Sequence, residues 1–237
     1  MLVVGFPAAA FATNCFVLAT GPGEECLVVD PGVGIEQDLA AVLAEHRLRP
    51  AAVLLTHGHL DHVYSVTPVC RGGTAAYLPA LIHTDDRYRL RDPLAQLDRG
   101  MVAMLEREFG ARATWTEPEI VQEMHDGDTV SLAGLELGVV HAPGHTEGSV
   151  MFTLDTAPEI RGAEVGSTVV SGDVLFAGSI GRCDLPGGDE QAMLASLRDK
   201  VLPMPDDRLV LPGHGPLTTI GTERARNPYL RGLAPGR

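Results

Sequence analysis

Residues 56–62 read T-H-G-H-L-D-H and follow the apolar run A-A-V-L-L, which places three histidines and an aspartate within six positions. Such a density of ligating side chains demands a fold that ends a buried strand in a tightly held loop. His57 and His59 are two apart, so in an extended segment they leave the backbone on one face and can share an ion. Asp61 and His62 come where the chain turns into a helix, and neighbouring helical side chains diverge enough to address a second position beside the first. A single catalytic zinc takes three protein ligands and a water, so one ion would leave some of the four without a role. The spacing therefore points to two ions, and the rest of the chain must supply further ligands. Three candidates stand at the ends of predicted strands: His145 in A-P-G-H-T-E-G-S, Asp173 in S-G-D-V-L-F and His214 in L-P-G-H-G. Glycine adjoins each, leaving the backbone free to aim a side chain inward.

The segments around these residues alternate between strand and helix patterns. N-C-F-V-L-A-T and E-C-L-V-V-D-P-G read as a hairpin that opens the fold. Leu39, Val42, Leu43 and His46 recur at helical spacing within 35–48, and Pro50 is expected to close that helix before the strand A-A-V-L-L-T. A short strand is expected in 74–79, and a mainly helical stretch broken at Pro93 over 84–109. From residue 128 the pattern is β again, with two strands turning about Ala133-Gly134, then S-V-M-F-T-L and S-T-V-V-S-G-D. A helix over 189–202 and the strand D-R-L-V-L-P-G-H-G complete the pattern. Strands cluster in both halves with helices between them, which suggests two packed sheets with helices outside, in one domain spanning 1–237. The 45% hydrophobic content of 237 residues is enough for such a core.

Composition narrows the partners. Eighteen basic against 31 acidic residues give a formal charge of -13, which opposes nucleic acid, where affinity depends on Lys and Arg neutralising phosphates. No run approaches the roughly 20 uninterrupted apolar residues of a membrane span, so no membrane partner is expected. The N-terminal apolar run precedes any basic residue, the earliest being Arg47, which argues against a secretory leader. Cys15, Cys26, Cys70 and Cys183 lack C-x-x-C spacing, so neither a disulfide framework nor a cysteine zinc site is expected, and a reducing cytoplasm fits best.

The histidine pattern resembles the metallo-β-lactamase superfamily, whose signature is T-H-x-H-x-D-H followed by a distant His, an Asp and a final His. All seven positions are filled in order between residues 56 and 214. The resemblance implies a four-layer αββα sandwich of the α/β (α+β) class. It also implies two divalent ions, zinc first, with iron or manganese as alternatives. His57, His59 and His145 would hold one ion, Asp61, His62 and His214 the other, and Asp173 would bridge them. Asp61 and Asp173 are the carboxylates expected to serve catalysis. Two divalent ions sharing a water can bring its pKa from near 16 to about 7, so the implied chemistry is hydrolysis of a small-molecule substrate by a metal-bridging hydroxide.

Finer likenesses rank the substrates. Asp173 weighs against a true β-lactamase, because that branch carries Cys or Ser at the bridging position. Residues 171–189, with G-T-E-R-A-R-N-P-Y-L near the end, resemble the compact glyoxalase II-like (hydroxyacylglutathione hydrolase-like) branch, which implies thioester hydrolysis. Full-length glyoxalase II carries a C-terminal helical domain, whereas 23 residues follow His214 here (237 minus 214), so the thiol carrier stays open. The main alternative is a persulfide dioxygenase, which would use one iron at His57, His145 and Asp173. A lactonase or a non-catalytic metal-binding module ranks lower. Asp30, in V-V-D-P-G, matches a family position from which a carboxylate could orient a ligating histidine. Arg182 and the arginines of 87–91 are candidates to meet substrate carboxylates. His141 is expected as a hydrogen-bonded histidine near the sheet, His46 and His125 at the surface, and Cys183 as a small buried side chain. His83 could either approach the pocket or open a helix.

Overall fold

The computed structural model describes residues 1–72, 77–96, 99–109, 115–160 and 164–233. Strands β1 (Leu2–Pro7), β2 (Asn14–Ala19) and β3 (Glu25–Val29) pair antiparallel. After α1 (Glu36–His46), strand β4 (Arg49–Leu54) joins β3 in parallel. The short helices α2 (Leu60–Val63) and α3 (Val66–Arg71) follow, then β5 (Ala80–His83), α4 (Arg99–Phe109) and β6 (Val121–Met124), which extend the parallel part. The six strands lie in chain order.

The second sheet begins with the hairpin β7 (Thr129–Leu132) and β8 (Leu135–His141), turning through Ala133-Gly134, both in the left-handed region. That geometry matches the twist of paired strands. It continues with β9 (Val150–Leu154), β10 (Ser167–Gly172), a small hairpin β11 (Leu175–Phe176) and β12 (Ser179–Ile180), helix α5 (Glu190–Ser196), β13 (Arg208–Pro212) and β14 (Thr218–Thr219). Helices α6 (Ile220–Arg226) and α7 (Pro228–Leu233) close the described chain. The sheet order is β14-β13-β10-β9-β8-β7.

Alternation of buried side chains assembles the layers. Phe16 and Leu18 of β2 and Leu27 and Val29 of β3 meet Val150, Phe152 and Leu154 of β9 and Leu209 and Leu211 of β13 in one cluster between the sheets. The alternate residues Cys15, Val17, Cys26 and Val28 face the other way, under Ile35 and Leu39 near α1 and Val66 and Val69 of α3. On the far side, Met151, Val169 and Val210 pack under Met193, Leu197, Ile220 and Leu230. Strands apolar on both faces must be covered on both, and the result is the αββα sandwich. No helix among the described residues is long and apolar enough to cross a membrane.

Several sequence expectations shift. A third strand, β1, precedes the opening hairpin, so the apolar N-terminal run is a sheet edge paired with β2. Helix α1 ends at Arg47, whose left-handed backbone (φ 55°) caps it, and Pro50 lies inside β4. The strand expected in 74–79 starts at Ala80; of that range only 77–79 are described, and they are not strand. The stretch 84–109 opens with tight 3₁₀ turns at Thr84–Leu90 and Pro93–Gln96, and a full α-helix forms only from Arg99. Proline supplies no N–H and disfavours helix in the residue before it, consistent with this break. The helix over 189–202 widens at Leu197–Val201 into a π-turn. Phe152 is fully buried between the sheets. Phe152→Ala is expected to destabilise the fold by about 3–5 kcal/mol, read from urea denaturation; a loss below 1 kcal/mol would contradict this packing.

Candidate metal centre

Strand β4 delivers the signature loop to the edge of the sandwich. Beyond Leu54 the backbone remains tied to both halves: Leu55 N donates to Leu81 O at 2.9 Å, and Val150 N of β9 donates to Thr56 O at 2.8 Å. Asp30, at the end of β3, is buried with a left-handed backbone (φ 50°). Its carboxylate accepts from Thr56 N (2.8 Å) and Thr56 Oγ1 (2.6 Å), and faces His62 Nδ1 at 2.9 Å. His62 therefore holds its proton on Nδ1 and turns Nε2 inward. His145 is set the same way, because its Nδ1 lies 2.7 Å from Arg182 O and a carbonyl can only accept.

The seven signature residues converge. His57, His59 and His145 form one set of ligand atoms within 4.8 Å of one another; Asp61, His62 and His214 form another, and Asp173 groups with His57 and His62. Asp173 faces both sides: Oδ1 is 3.3 Å from His62 Nε2, while Oδ2 is 3.5 Å from both His145 Nε2 and His214 Nε2. Asp61 Oδ2 lies 3.2 Å from His214 Nε2 and 3.5 Å from His62 Nε2. Apart from the 3.2 Å contact of Asp61 with His214, these separations are long for hydrogen bonds. They match the edge of about 3.4 Å between two ligands of a tetrahedral zinc with bonds near 2.1 Å. His57 Nε2, His59 Nε2, His62 Nε2 and Asp173 Oδ1 are buried without a hydrogen-bond partner. Buried polar atoms are normally satisfied, and His57, His62 and Asp173, three of these residues, form one group of ligand atoms, which fits a bound cation.

The field of the site agrees. Burial, reinforced by His62, His145 and His59, holds His57 well below the ordinary histidine range, and burial beside His145 takes His59 down to about 3, so both keep a lone pair available. Burial opposes charge on His62, but Asp173, Asp61 and Asp30 outweigh it and push its pKa well up. At His214 burial is outweighed by Asp61 and Asp173. Burial would raise Asp61, yet His62 and hydrogen bonds with His214 and Thr13 hold it well below the usual carboxylate range. Asp173 is lowered too, chiefly by His62 against its burial. Three carboxylates thus favour positive charge at the inward nitrogens.

Asp86, which sequence reasoning did not single out, clamps two ligand loops together. It is fully buried and accepts from Gly58 N (2.7 Å), Thr146 Oγ1 (2.8 Å) and Gly148 N (2.9 Å). Arg89 Nε, also buried, supplies the counter-charge at 3.1 Å. A side chain at position 58 would collide with Arg89, its Cβ falling 2.6 Å from that of the arginine, which accounts for the glycine inside the H-x-H motif. On the other side, Gly213 N donates to Gly172 O at 2.9 Å, joining the Asp173 and His214 loops. A Cβ on Gly213 would lie 2.1 Å from Asp173 Oδ1. The only sequence signal for Asp86 was an acidic pair after β5, which exposed carboxylates also produce.

The other named residues fall outside this cluster. Arg182 turns its guanidinium to Asp184 at the surface (2.7 and 2.8 Å), and it is its carbonyl that reaches the centre. Arg87 pairs with Glu117, and Arg89 is committed to Asp86 and Glu147, so neither presents a guanidinium to a substrate carboxylate as the sequence suggested. His141 Nε2 hydrogen-bonds Glu147 O at 2.8 Å, and its ring stacks on His83 at 4.0 Å and 12°. His83, Asp85 and His141 form a separate group of ligand atoms within 4.8 Å of one another that shares no residue with the signature set. His125 is exposed, whereas His46, expected at the surface, and Cys183, expected to be buried, are both half-buried. A groove of about 630 Å³ near Met1, Thr20 and Asp155 is lined by no histidine and by no residue of this cluster.

Two expectations follow. Asp86→Asn removes acceptor capacity from both loops and leaves Arg89 partly uncompensated. It should cost about 3–5 kcal/mol in urea denaturation and weaken metal affinity about 10–100-fold in chelator competition; wild-type values for both would contradict the clamp. In metal-stripped protein, His59 titrates near 6.5 when unfolded and about 3 when folded. Between those values the unfolded chain binds a proton that the folded chain refuses, so stability falls as pH drops from about 6.5 toward 3. His59→Asn should flatten that fall, and an unchanged slope would refute the assignment.

Comparison with known proteins agrees with this geometry. The family model for the metallo-beta-lactamase superfamily matches residues 8–214. The hydroxyacylglutathione hydrolase GloC of Haemophilus influenzae is 31% identical over 231 residues, covering 94% of this chain and 95% of that protein. Among solved structures, the BLEG-1 B3 metallo-beta-lactamase superposes with a TM-score of 0.76 at 34% identity over 97% of this chain and 99% of that one. TTHA1623 in a di-iron-bound form gives a TM-score of 0.70 at 35% identity over 97% and 100%.

Proposed function

The chain belongs to the metallo-beta-lactamase superfamily, and from that premise we propose that it is a binuclear metal-dependent hydrolase that cleaves a small thioester. The observation that carries this reading is the pair of donor sets, His57, His59, His145 and Asp61, His62, His214, on either side of Asp173. The likeness to a hydroxyacylglutathione hydrolase supports the thioester as the bond attacked. Zinc is the first choice of metal, and iron has support from the di-iron form of a related structure.

Two divalent ions held by these residues would polarise the substrate carbonyl and make water nucleophilic near neutral pH. The chain's own groups do the rest. Asp30 and the Arg182 carbonyl fix the rings of His62 and His145 so that neither ring must reorient during turnover. Thr13 Oγ1 donates to Asp61 Oδ2 at 2.8 Å, which keeps that oxygen beside His62 and His214. Held well below the usual carboxylate range, Asp61 is an acceptor for the proton of the attacking water and not an acid. The leaving thiol, with a pKa of about 8.5, departs readily as thiolate, so no general acid is required.

Persulfide dioxygenases keep the same histidine signature around one iron, so it is the likeness to a hydroxyacylglutathione hydrolase, at 31% identity, that favours the hydrolase. The test is thiol release from hydroxyacyl-glutathione and from simpler acyl thioesters, with β-lactam ring opening assayed alongside because of the B3 relative. Thiol release is expected, and Asp61→Ala should lower it at least about 100-fold while the His57, His59, His145 set retains its ion. Unchanged turnover in that variant, or ring opening without thiol release, would overturn the reading.

A further inference from the structure

Beside the metal centre lies a small cleft of about 110 Å³ that His59 and Asp61 line on one side and Phe11, Leu60, Pro93, Leu185 and Pro186 line with apolar surface. Phe11 is 39% exposed and presents its ring to the cleft lining. It and Ala12 hold consecutive left-handed backbones, φ 62° and 54°, a conformation that non-glycine residues avoid unless the surroundings enforce it. The enforcing contacts are present: Thr13 donates to Asp61 Oδ2 and bridges to His214, so the loop carrying Phe11 is fixed directly to the metal centre. On the opposite wall, Arg89 Nη2 donates to Pro186 O at 3.0 Å and so holds the Pro186 wall from behind.

Charge completes the picture. Among the described residues no Lys or Arg lines the cleft. The nearby guanidiniums are committed elsewhere, Arg89 to Asp86 and Glu147 and Arg182 to Asp184. Asp61 stands at the cleft, and the whole chain carries a formal charge of -13. A carboxylate at the apolar end of the cleft, against Phe11, Leu60 and Leu185, would lose hydration and find no guanidinium or ammonium partner among the described lining residues.

We propose that this cleft is the acyl subsite and that it selects a short, uncharged aliphatic acyl group, rejecting acyl chains that end in a carboxylate. The inference rests on the thioester reading above and names the substrate class within it. The methylenes of the acyl chain pack against Phe11, Leu60 and Leu185, while the scissile carbonyl reaches the centre past His59 and Asp61. The thiol part lies outside this cleft.

The experiment compares acetyl, butyryl and succinyl thioesters of one thiol, N-acetylcysteamine, on the metal-loaded protein. In parallel, calorimetry measures binding of the matching ketone analogues, in which a methylene separates carbonyl from sulfur and no hydrolysis occurs. Butyryl should exceed acetyl in kcat/KM by about 10-fold or more, and succinyl should fall about 100-fold below butyryl, with the analogues binding in the same order. Phe11→Ala and, separately, Leu185→Ala should each reduce the butyryl-to-acetyl ratio several-fold. Succinyl turned over or bound as well as butyryl, or ratios indifferent to both variants, would overturn the acyl subsite and leave the thioesterase reading standing. Absence of thiol release from every thioester would overturn the thioesterase reading, and the order of analogue binding would still decide the selectivity of the cleft.

Discussion

Five imidazoles and the carboxylates of Asp30, Asp61 and Asp173 share one water-poor space, and holding that much polarity together is the constraint on which the rest of the structure depends. Ionised carboxylates are costly to bury unless each oxygen has a partner. Asp30 meets the requirement through Thr56 and His62, and Asp61 through Thr13 and His214. Asp173 meets it only in part, since Oδ1 has no hydrogen bond and faces His62 Nε2, which has none either. A divalent cation between them is the simplest completion of that set.

The sandwich serves this constraint. The last residues of β4, β10 and β13, ahead of His57, Asp173 and His214, are buried on both faces, which limits their freedom before the loop begins, whereas β8, ahead of His145, alternates. The halves are then joined at the ligand loops: Asn14 N donates to Gly213 O at 2.7 Å, Val150 N to Thr56 O, and Asp86 spans the loops of His57–His59 and His145. Farther out, the buried Glu223 accepts from Gly178 N, Thr218 Oγ1 and Asn227 Nδ2, at 2.7, 2.7 and 2.9 Å, anchoring the β11–β12 hairpin to α6. That hairpin leads directly into Arg182, whose carbonyl sets His145. The role of the G-T-E-R-A-R-N-P-Y-L segment is thereby physical: it holds a metal-site loop from behind.

What could be read before the fold was known followed from local rules. The H-x-H-x-D-H spacing, the strand alternation of β2 and β3, and the Ala133-Gly134 turn all act within a few residues, and all reappear in the structure. Asp30 was found because its position beside a strand end matched the resemblance. Asp86 and Thr13 were missed because their partners lie 28 to 62 and 48 residues away, and no local pattern distinguishes them from surface polar residues. The arginines were misjudged for the same reason. Whether a guanidinium faces a substrate or a buried aspartate is a tertiary fact, and Arg89 met Asp86. The middle segment failed at the level of helix type, where Pro93 and local capping by His83 favoured tight turns over a continuous helix.

The central claim is a two-ion centre, and elemental analysis of metal per chain, on protein purified without added metal or chelator, tests it most directly. The account predicts about two divalent ions per chain, falling to about one when His214 is replaced by alanine. About one ion per chain in the unaltered protein, unaffected by loss of His214, would contradict it.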